Sequence, residues 1–270
     1  MNQRYAEVIG DPISHSKSPV IHGFWLEALG IDASYRAAHV RPGELTAYFA
    51  DRRADPAWCG CNVTLPHKIT ALDHVADPGC VRASIGAINT VARDDGGILF
   101  GTNSDAGGFY GPIAGVELTG ASVAVIGAGG AARAILFALS RLGVGRVTIL
   151  NRNPLKAAGL LADFGLKGEA LPLAAPLPRA ALLVNASSLG MTGQPQLKLD
   201  LSPLPEAAIV YDVVYAPLET PLLAAAHARG LETVDGLEML IGQAALAFEI
   251  FFGAAPPRDQ DETLRAMLLR

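Results

Sequence analysis

The sequence predicts an α/β protein of two units, the second a doubly wound parallel sheet, and three observations carry this reading. The chain has 270 residues, half of them hydrophobic. That is enough for one large core or two modest ones, and two suits the length better. Strand-like and helix-like stretches alternate along most of the chain, the pattern of βαβ units. At "LTGASVAVIGAGGAARAILFALSRLGVGRVTILNRN", residues 118–153, a buried strand enters a glycine turn, then an amphipathic helix, then a second strand.

From the start, "RYAEVIG" reads as a strand. Ser18 followed by Pro19 marks a helix start, since a serine oxygen satisfies an orphan N–H and proline suits the first helical position. The helix Pro19–Leu29 then sets Val20, Ile21, Phe24, Trp25, Ala28 and Leu29 on one face. "SYRAAHV" is a second strand. A helix after Pro42, a short strand "CGCNVT" and a helix from Pro66 follow, and "AINTVAR" and "GILFGTN" pair around "DDGG". Asp105 opens a helix. This first α/β unit spans about 100 residues.

In the second unit Ala131, Ala134, Ile135, Ala138, Leu139 and Leu142 form one helical face that covers a sheet. Strands at "ALLVNAS", "AIVYDVV" and "ETVDG" continue the parallel sheet. From Leu237 to Arg270 the chain reads as helical, broken by Pro256 and Pro257.

Composition removes several classes of function. The longest apolar stretches, Ala121–Leu139 and Ile241–Ala255, are interrupted by Arg133, or by Gln243 and Glu249, so no membrane span is expected. The start "MNQRYAEVIG" shows no secretory pattern, and a cytoplasmic protein is expected. Cys59, Cys61 and Cys80 form no C-x-x-C pair, and buried free thiols are the expectation. The six histidines are scattered, without metal-ligand spacing, so no metal is expected. A formal charge of −5 without a basic run argues against a nucleic-acid partner.

The chemistry-bearing segments stand out against this background. "GAGGAA" at Gly127–Ala132 fits G-x-G-x-x-A between a strand and a periodic helix, the context in which a backbone approaches a pyrophosphate at a helix N-terminus. The alternative is a glycine loop serving strand–helix packing alone. At the end of the next strand, where an NAD site carries a carboxylate, stand Asn151, Arg152 and Asn153. A guanidinium suits a 2′-phosphate that a carboxylate would repel, which favours NADP over NAD, with Lys156 one turn on; the alternative is a solvated arginine. Ser16 and Ser18 in "PISHSKSP" can both face an anion at a positive helix end, or Ser18 can simply start the helix.

Thr64 and Lys68 in "NVTLPHK" fall at the carboxyl edge of a sheet, where open α/β sheets bind ligands. Lys68 beside Asp105 could exchange a proton with a substrate hydroxyl. Alternatively Asp105 only caps its helix. Asn89, Asn103 and Asp105 suit substrate hydroxyls or turns. Tyr215 and Gln243, polar among apolar neighbours, serve either a ligand or the fold.

Taken in order, "SHSKSP", "NVTLPHK", "GAINT", "GTNSDAGGF", "GAGGAARA", "NRN", "NASSLGM", "DVVYAPLETPLL" and "DGLEMLIGQAA" resemble the shikimate dehydrogenase family over nearly the whole chain. The resemblance implies a substrate-binding unit at residues 1–105, completed by 237–270, and a Rossmann-type NADP unit at 106–236. It implies NADPH-dependent interconversion of 3-dehydroshikimate and shikimate, in the route to aromatic amino acids, by a monomer or homodimer acting on this small molecule. Ser16, Ser18 and Tyr215 would hold the substrate carboxylate, and Thr64, Asn89, Asp105 and Gln243 the ring hydroxyls. Lys68 would be the general acid or base, positioned by Asp105. Gly127, Ala128, Gly129, Gly130 and Ala131 would line the diphosphate, Asn151, Arg152 and Asn153 the adenosine phosphate, and Gly236 would add a cofactor contact.

Two residues depart from the family's pattern. Asn153 replaces the usual threonine of "NRT", and Glu238 stands where a small or apolar residue is common. A quinate/shikimate dehydrogenase of broader specificity is a neighbouring reading, and the two serines of the first motif lean away from it. A non-catalytic sensor of NADP or a cyclic acid is a third, against which the Lys68–Asp105 pair speaks.

Overall fold

A computed structural model describes residues 3–269. They form two compact units, Met1–Asp105 with Ile241–Arg270, and Ala106–Leu240. The return to the first unit thus begins at Ile241.

In chain order the first unit contains β1 (Arg4–Gly10), α1 (Ser18–Ala28), β2 (Ala33–His39), α2 (Leu45–Ala54), β3 (Trp58–Val63) and a 3-10 turn at Thr70–His74. Then come α3 (Val81–Ser84), β4 (Thr90–Arg93), β5 (Leu99–Thr102) and the start of α4 (Asp105–Tyr110). The second unit holds β6 (Ser122–Ile126), α5 (Gly130–Arg141), β7 (Arg146–Asn151), α6 (Pro154–Asp163), β8 (Gly168–Pro172), β9 (Leu182–Asn185), β10 (Ile209–Asp212), α7 (Pro221–Ala228) and β11 (Glu232–Val234). Helix α8 (Gly236–Phe252) leads out of it, and α9 (Asp261–Leu268) follows.

The first sheet has the order β2-β1-β3-β4-β5. Strand β1 is parallel to both neighbours, while β3–β4 and β4–β5 are antiparallel. Buried on both faces, β1 nevertheless carries Glu7 at its centre. Burial opposes that charge. Hydrogen bonds from Arg52 (2.7 Å), Tyr48 (2.7 Å) and Arg36 (2.9 Å) outweigh it and hold the carboxyl below its ordinary pKa.

Helix α1 buries a different face from the one its periodicity predicts. Ile21, His22, Trp25 and Leu26 point inward, whereas Val20 and Leu29 are exposed and Phe24 is half-buried. The cause is His22, which acts as a flat aromatic. Its ring stacks on Tyr35 at 3.9 Å and 2° and lies among Trp25, Phe248 and Phe251. Both ring nitrogens are buried without a hydrogen-bond partner among the described residues. Burial pushes the His22 pKa from 6.5 down to about 3, so the ring stays neutral in the fold while the unfolded chain takes up a proton. Stability is therefore lost as pH falls below 6.5. Between about pH 7 and about pH 4.5 the wild type should lose about 2 kcal/mol more than His22→Phe in urea unfolding. Equal losses would show that this ring is not the titrating group.

The helix expected from Pro66 is absent. Residues 65–69 form turns and a short 3-10 helix follows. His67 explains this, because its N–H closes a turn onto the Thr64 carbonyl at 2.9 Å and its buried ring nitrogen Nε2 donates to the Val40 carbonyl at 2.7 Å. The thiols also differ from expectation: all three are free, Cys61 is buried, Cys59 is half-buried, and Cys80 is exposed.

The second sheet has the order β11-β10-β9-β6-β7-β8, parallel throughout. Along β6, Val123 and Val125 join one core with Ile135 and Leu139 of α5, while Ala124 and Ile126 join another with Leu222 and Leu223 of α7. Helices on both faces make the sheet doubly wound. The direction of winding reverses between β6 and β9, which is where such sheets bind ligands. Strand β8 escapes a sequence reading, being a short, half-exposed edge bounded by glycine and proline. The C-terminal stretch is not helical throughout, since residues 253–257 separate α8 from a 3-10 turn ahead of α9. Among the described residues, no helix is long and apolar enough to cross a membrane.

Candidate active site

Strand register gathers the predicted substrate residues of the first unit at one edge. Ile9 pairs with Val63, so the Ser16–Ser18 loop and Thr64 both follow from neighbouring strand ends. Asn62 pairs with Thr90, and Thr90 with Thr102. Asn89 and the 103–105 turn therefore arrive at the same edge.

The centre of this edge is an ion pair between Lys68 Nζ and Asp105 Oδ2, with side-chain exposures of only 14% and 6%. Asn89 Nδ2 donates to the other carboxylate oxygen, Oδ1, at 2.8 Å. Asn89 Oδ1 accepts the Ser104 N–H at 2.8 Å. Gln243 Oε1 accepts from Asn89 Nδ2 at 3.2 Å and from the Ser104 hydroxyl at 3.4 Å. Lys68 thus stands on a turn, not in the helix expected from Pro66, and its ammonium is held by the Asp105 side chain. Its carbonyl accepts the Ile88 N–H at 2.8 Å, which anchors the turn beside Asn89. Asp105 does not act only as a cap. Asn103 makes the local turn instead, accepting the Asp105 N–H at 2.9 Å.

The predicted hydroxyl-bearing residues differ in their engagement. Thr64 is half-buried, and its hydroxyl has no partner among the described residues. Ser18 is buried at the first turn of α1, but it caps nothing; Ser16 Oγ accepts the Ser18 N–H at 3.3 Å, and Lys17 takes the cap position without a side-chain capping bond to the helix. Sequence reasoning did not single out Ser104, or Asn62, which accepts from Tyr35 at 2.6 Å and donates to the Asn89 carbonyl at 3.2 Å. Both stood inside quoted motifs, and only their burial shows that they support Asn89.

In the second unit Gly127 follows β6 with φ +104°, a conformation that favours glycine. A Cβ there would stand 3.1 Å from the Ala186 carbonyl. Gly129 is the N-cap of α5, in extended conformation and without a side-chain cap, and a Cβ on it would meet nothing within 4 Å. Open space thus faces the free N–H groups of the helix start, between Ala128 and Gly130–Ala131, and the residues present fit a pyrophosphate.

Ile126 pairs with Leu150, which sets Asn151 beside this turn. Arg152 is exposed, and its guanidinium has no partner among the described residues. Asn153 is engaged locally. It caps α6 by accepting the Lys156 N–H at 3.2 Å, while its carbonyl accepts from Asn151 at 2.9 Å, so the change from threonine keeps a capping residue here.

The loops after β9 and β10 are joined by Asp212, also missed from sequence. It accepts from Asn185 (2.9 Å), the Val214 N–H (3.0 Å) and the Thr220 hydroxyl (2.7 Å). Burial raises its pKa against those bonds. Tyr215, three residues on, is half-buried, its hydroxyl without a partner among the described residues and its pKa raised by burial. Gly236 opens α8 so close to Val213 that a Cβ would lie 2.3 Å from that carbonyl. Glu238 is exposed.

A dinucleotide-type sheet edge in one unit and a lysine–carboxylate pair in the other define a nicotinamide-dependent oxidoreductase. Residues 8–91 match the shikimate dehydrogenase substrate binding domain, 113–182 the shikimate/quinate 5-dehydrogenase family, and 236–263 the shikimate 5'-dehydrogenase C-terminal domain. The shikimate dehydrogenase (NADP(+)) of Sphingopyxis alaskensis is 66% identical over 98% of this chain and 97% of its own. Shikimate 5-dehydrogenase from Thermus thermophilus, in complex with NADP(H) and shikimate, superposes with a TM-score of 0.87 at 38% identity, over 98% of this chain and 100% of that one. The ligand-free 5-ketofructose reductase of Gluconobacter reaches 0.88 at 30% identity, over 99% of both chains. The chain belongs to the shikimate dehydrogenase family.

Proposed function

We propose that the chain catalyses the NADPH-dependent, reversible reduction of 3-dehydroshikimate to shikimate, a step toward aromatic amino acids. The observation that carries this is the Lys68–Asp105 pair, nearly buried and held by Asn89 at the sheet edge from which Thr64 and the Ser16–Ser18 loop also follow. NADPH, when bound, supplies the hydride. Reducing a ketone also requires a proton on its oxygen, and the Lys68 ammonium delivers it; in the reverse direction Lys68 accepts it. Asp105 orients that ammonium, and Asn89, backed by Ser104 and Gln243, orients Asp105.

Ser16 and Ser18 receive the substrate carboxylate, Thr64, Asn89, Asp105 and Gln243 the ring hydroxyls. Tyr215 is the remaining substrate contact proposed. Gly127 to Ala131 face the diphosphate and Arg152 the 2′-phosphate, with Asn151, Asn153 and Gly236 as flanking cofactor contacts. All these residues lie on one chain, so a monomer or a homodimer can carry the reaction, and the cytoplasm is the compartment proposed.

The test is nicotinamide absorbance with shikimate or quinate, each with NADP+ or NAD+. Turnover chiefly with shikimate and NADP+ is expected. Comparable efficiency on quinate would place the chain with broader-specificity enzymes, in line with the family description matched at residues 113–182. Ligand-dependent stabilisation without turnover would make it a sensor.

A further inference from the structure

Lys17 stands between the two serines proposed to hold the substrate carboxylate, and a cation there looks like the carboxylate's counter-ion. The structure engages it elsewhere. Lys17 Nζ donates to the Leu268 carbonyl at 2.5 Å. Leu268 is the last residue of α9, where carbonyls lack intrahelical partners and the helix dipole is negative. The Lys17 backbone carbonyl meanwhile accepts the Val20 and Ile21 N–H groups, each at 3.1 Å, and so begins α1. Ser16, immediately before it, bonds back to the Ile13 carbonyl through its N–H at 3.0 Å and to the Ser18 N–H through its hydroxyl at 3.3 Å. Helix α9 is itself fixed, with Leu264 and Leu268 buried. One residue thus ties the start of α1 to the end of α9, and the serines flank the tie on either side.

We propose that Lys17 is a positioning residue of the carboxylate subsite. It fixes Ser16 and Ser18 through α9, and neutral hydroxyls, not its ammonium, receive the anion. This rests on the shikimate reading above. It also gives α9 a role at the site.

The experiment is steady-state kinetics at saturating NADP+ with shikimate and with its neutral carboxamide, for the wild type, Lys17→Met and Lys17→Arg. Lys17→Met should raise KM for shikimate by roughly 3- to 10-fold, the size of one hydrogen bond, and KM for the carboxamide by the same factor. The turnover number should stay within about twofold of wild type, as should KM for NADP+ when NADP+ is varied at saturating shikimate, and Lys17→Arg, which keeps a donor, should restore KM for shikimate. Amide exchange in the last turn of α9 should speed up in Lys17→Met alone. A penalty confined to the charged substrate would overturn the proposal in favour of a direct ion pair, and an unchanged KM would overturn it outright. Absence of shikimate turnover in the wild type would strike the shikimate reading, and this inference with it.

Discussion

Lys68→Ala lowers shikimate turnover by on the order of 10²–10⁴-fold, with KM for NADP+ unchanged within about twofold. The size follows from what remains. Once the ammonium is gone, Asp105 keeps only Asn89 on one oxygen, and an acceptor-only carboxylate at neutral pH has no proton for a ketone oxygen. The variant is also less stable, because removing one partner of a nearly buried ion pair costs up to about 3–5 kcal/mol where water cannot reach. Adding Asp105→Asn separates the two effects. The double variant should regain most of the lost melting temperature and none of the turnover, as thermal unfolding and rate assays on the same samples would show. Turnover within about tenfold of wild type in the single variant would remove Lys68 from the proton-transfer role.

That pair shows how far the sequence could be read. Strand pattern sets Thr64 and Lys68 at a sheet edge and Asp105 at a helix start, because the period of a strand and the residues that end it are local properties. The helix expected from Pro66, which would hold Lys68, is a turn instead. The turn at 65–69 is held by His67 reaching Val40, a contact across the fold that no local window contains. Ser104 and Asn62 were passed over for the same reason, since a buried amide's partners are set by register.

The face of α1 was misplaced because a histidine counts as polar in any periodicity, while here its ring is stacked in an aromatic core. Glu7 was invisible in the same way: in sequence it is one charge in a strand, and in the fold it gathers Arg36, Tyr48 and Arg52 from β2 and α2. By contrast, the glycine turn and the strand that follows it were legible almost whole, because such a turn depends on backbone conformation and on neighbours close in sequence.

Arg152→Ala is expected to raise KM for NADP+ by on the order of 10- to 100-fold while KM for NAD+ moves by less than about twofold. The asymmetry is the point of the measurement. A guanidinium bonding a phosphate makes charge-assisted, forked contacts that the 2′-hydroxyl of NAD+ cannot replace. In this chain the arginine has no protein partner among the described residues to give up, so none of its donors would have to leave another bond to meet a phosphate. Because Arg152 is exposed, its effect should shrink as salt is raised, and the gap between wild type and variant should narrow toward molar ionic strength. Asn153→Thr should matter far less, since the side chain at 153 accepts the Lys156 N–H and a threonine hydroxyl can do the same at an N-cap. A variant that loses NADP+ and NAD+ equally would mean that Arg152 serves the common part of the dinucleotide, and that cofactor choice is made elsewhere on the sheet edge.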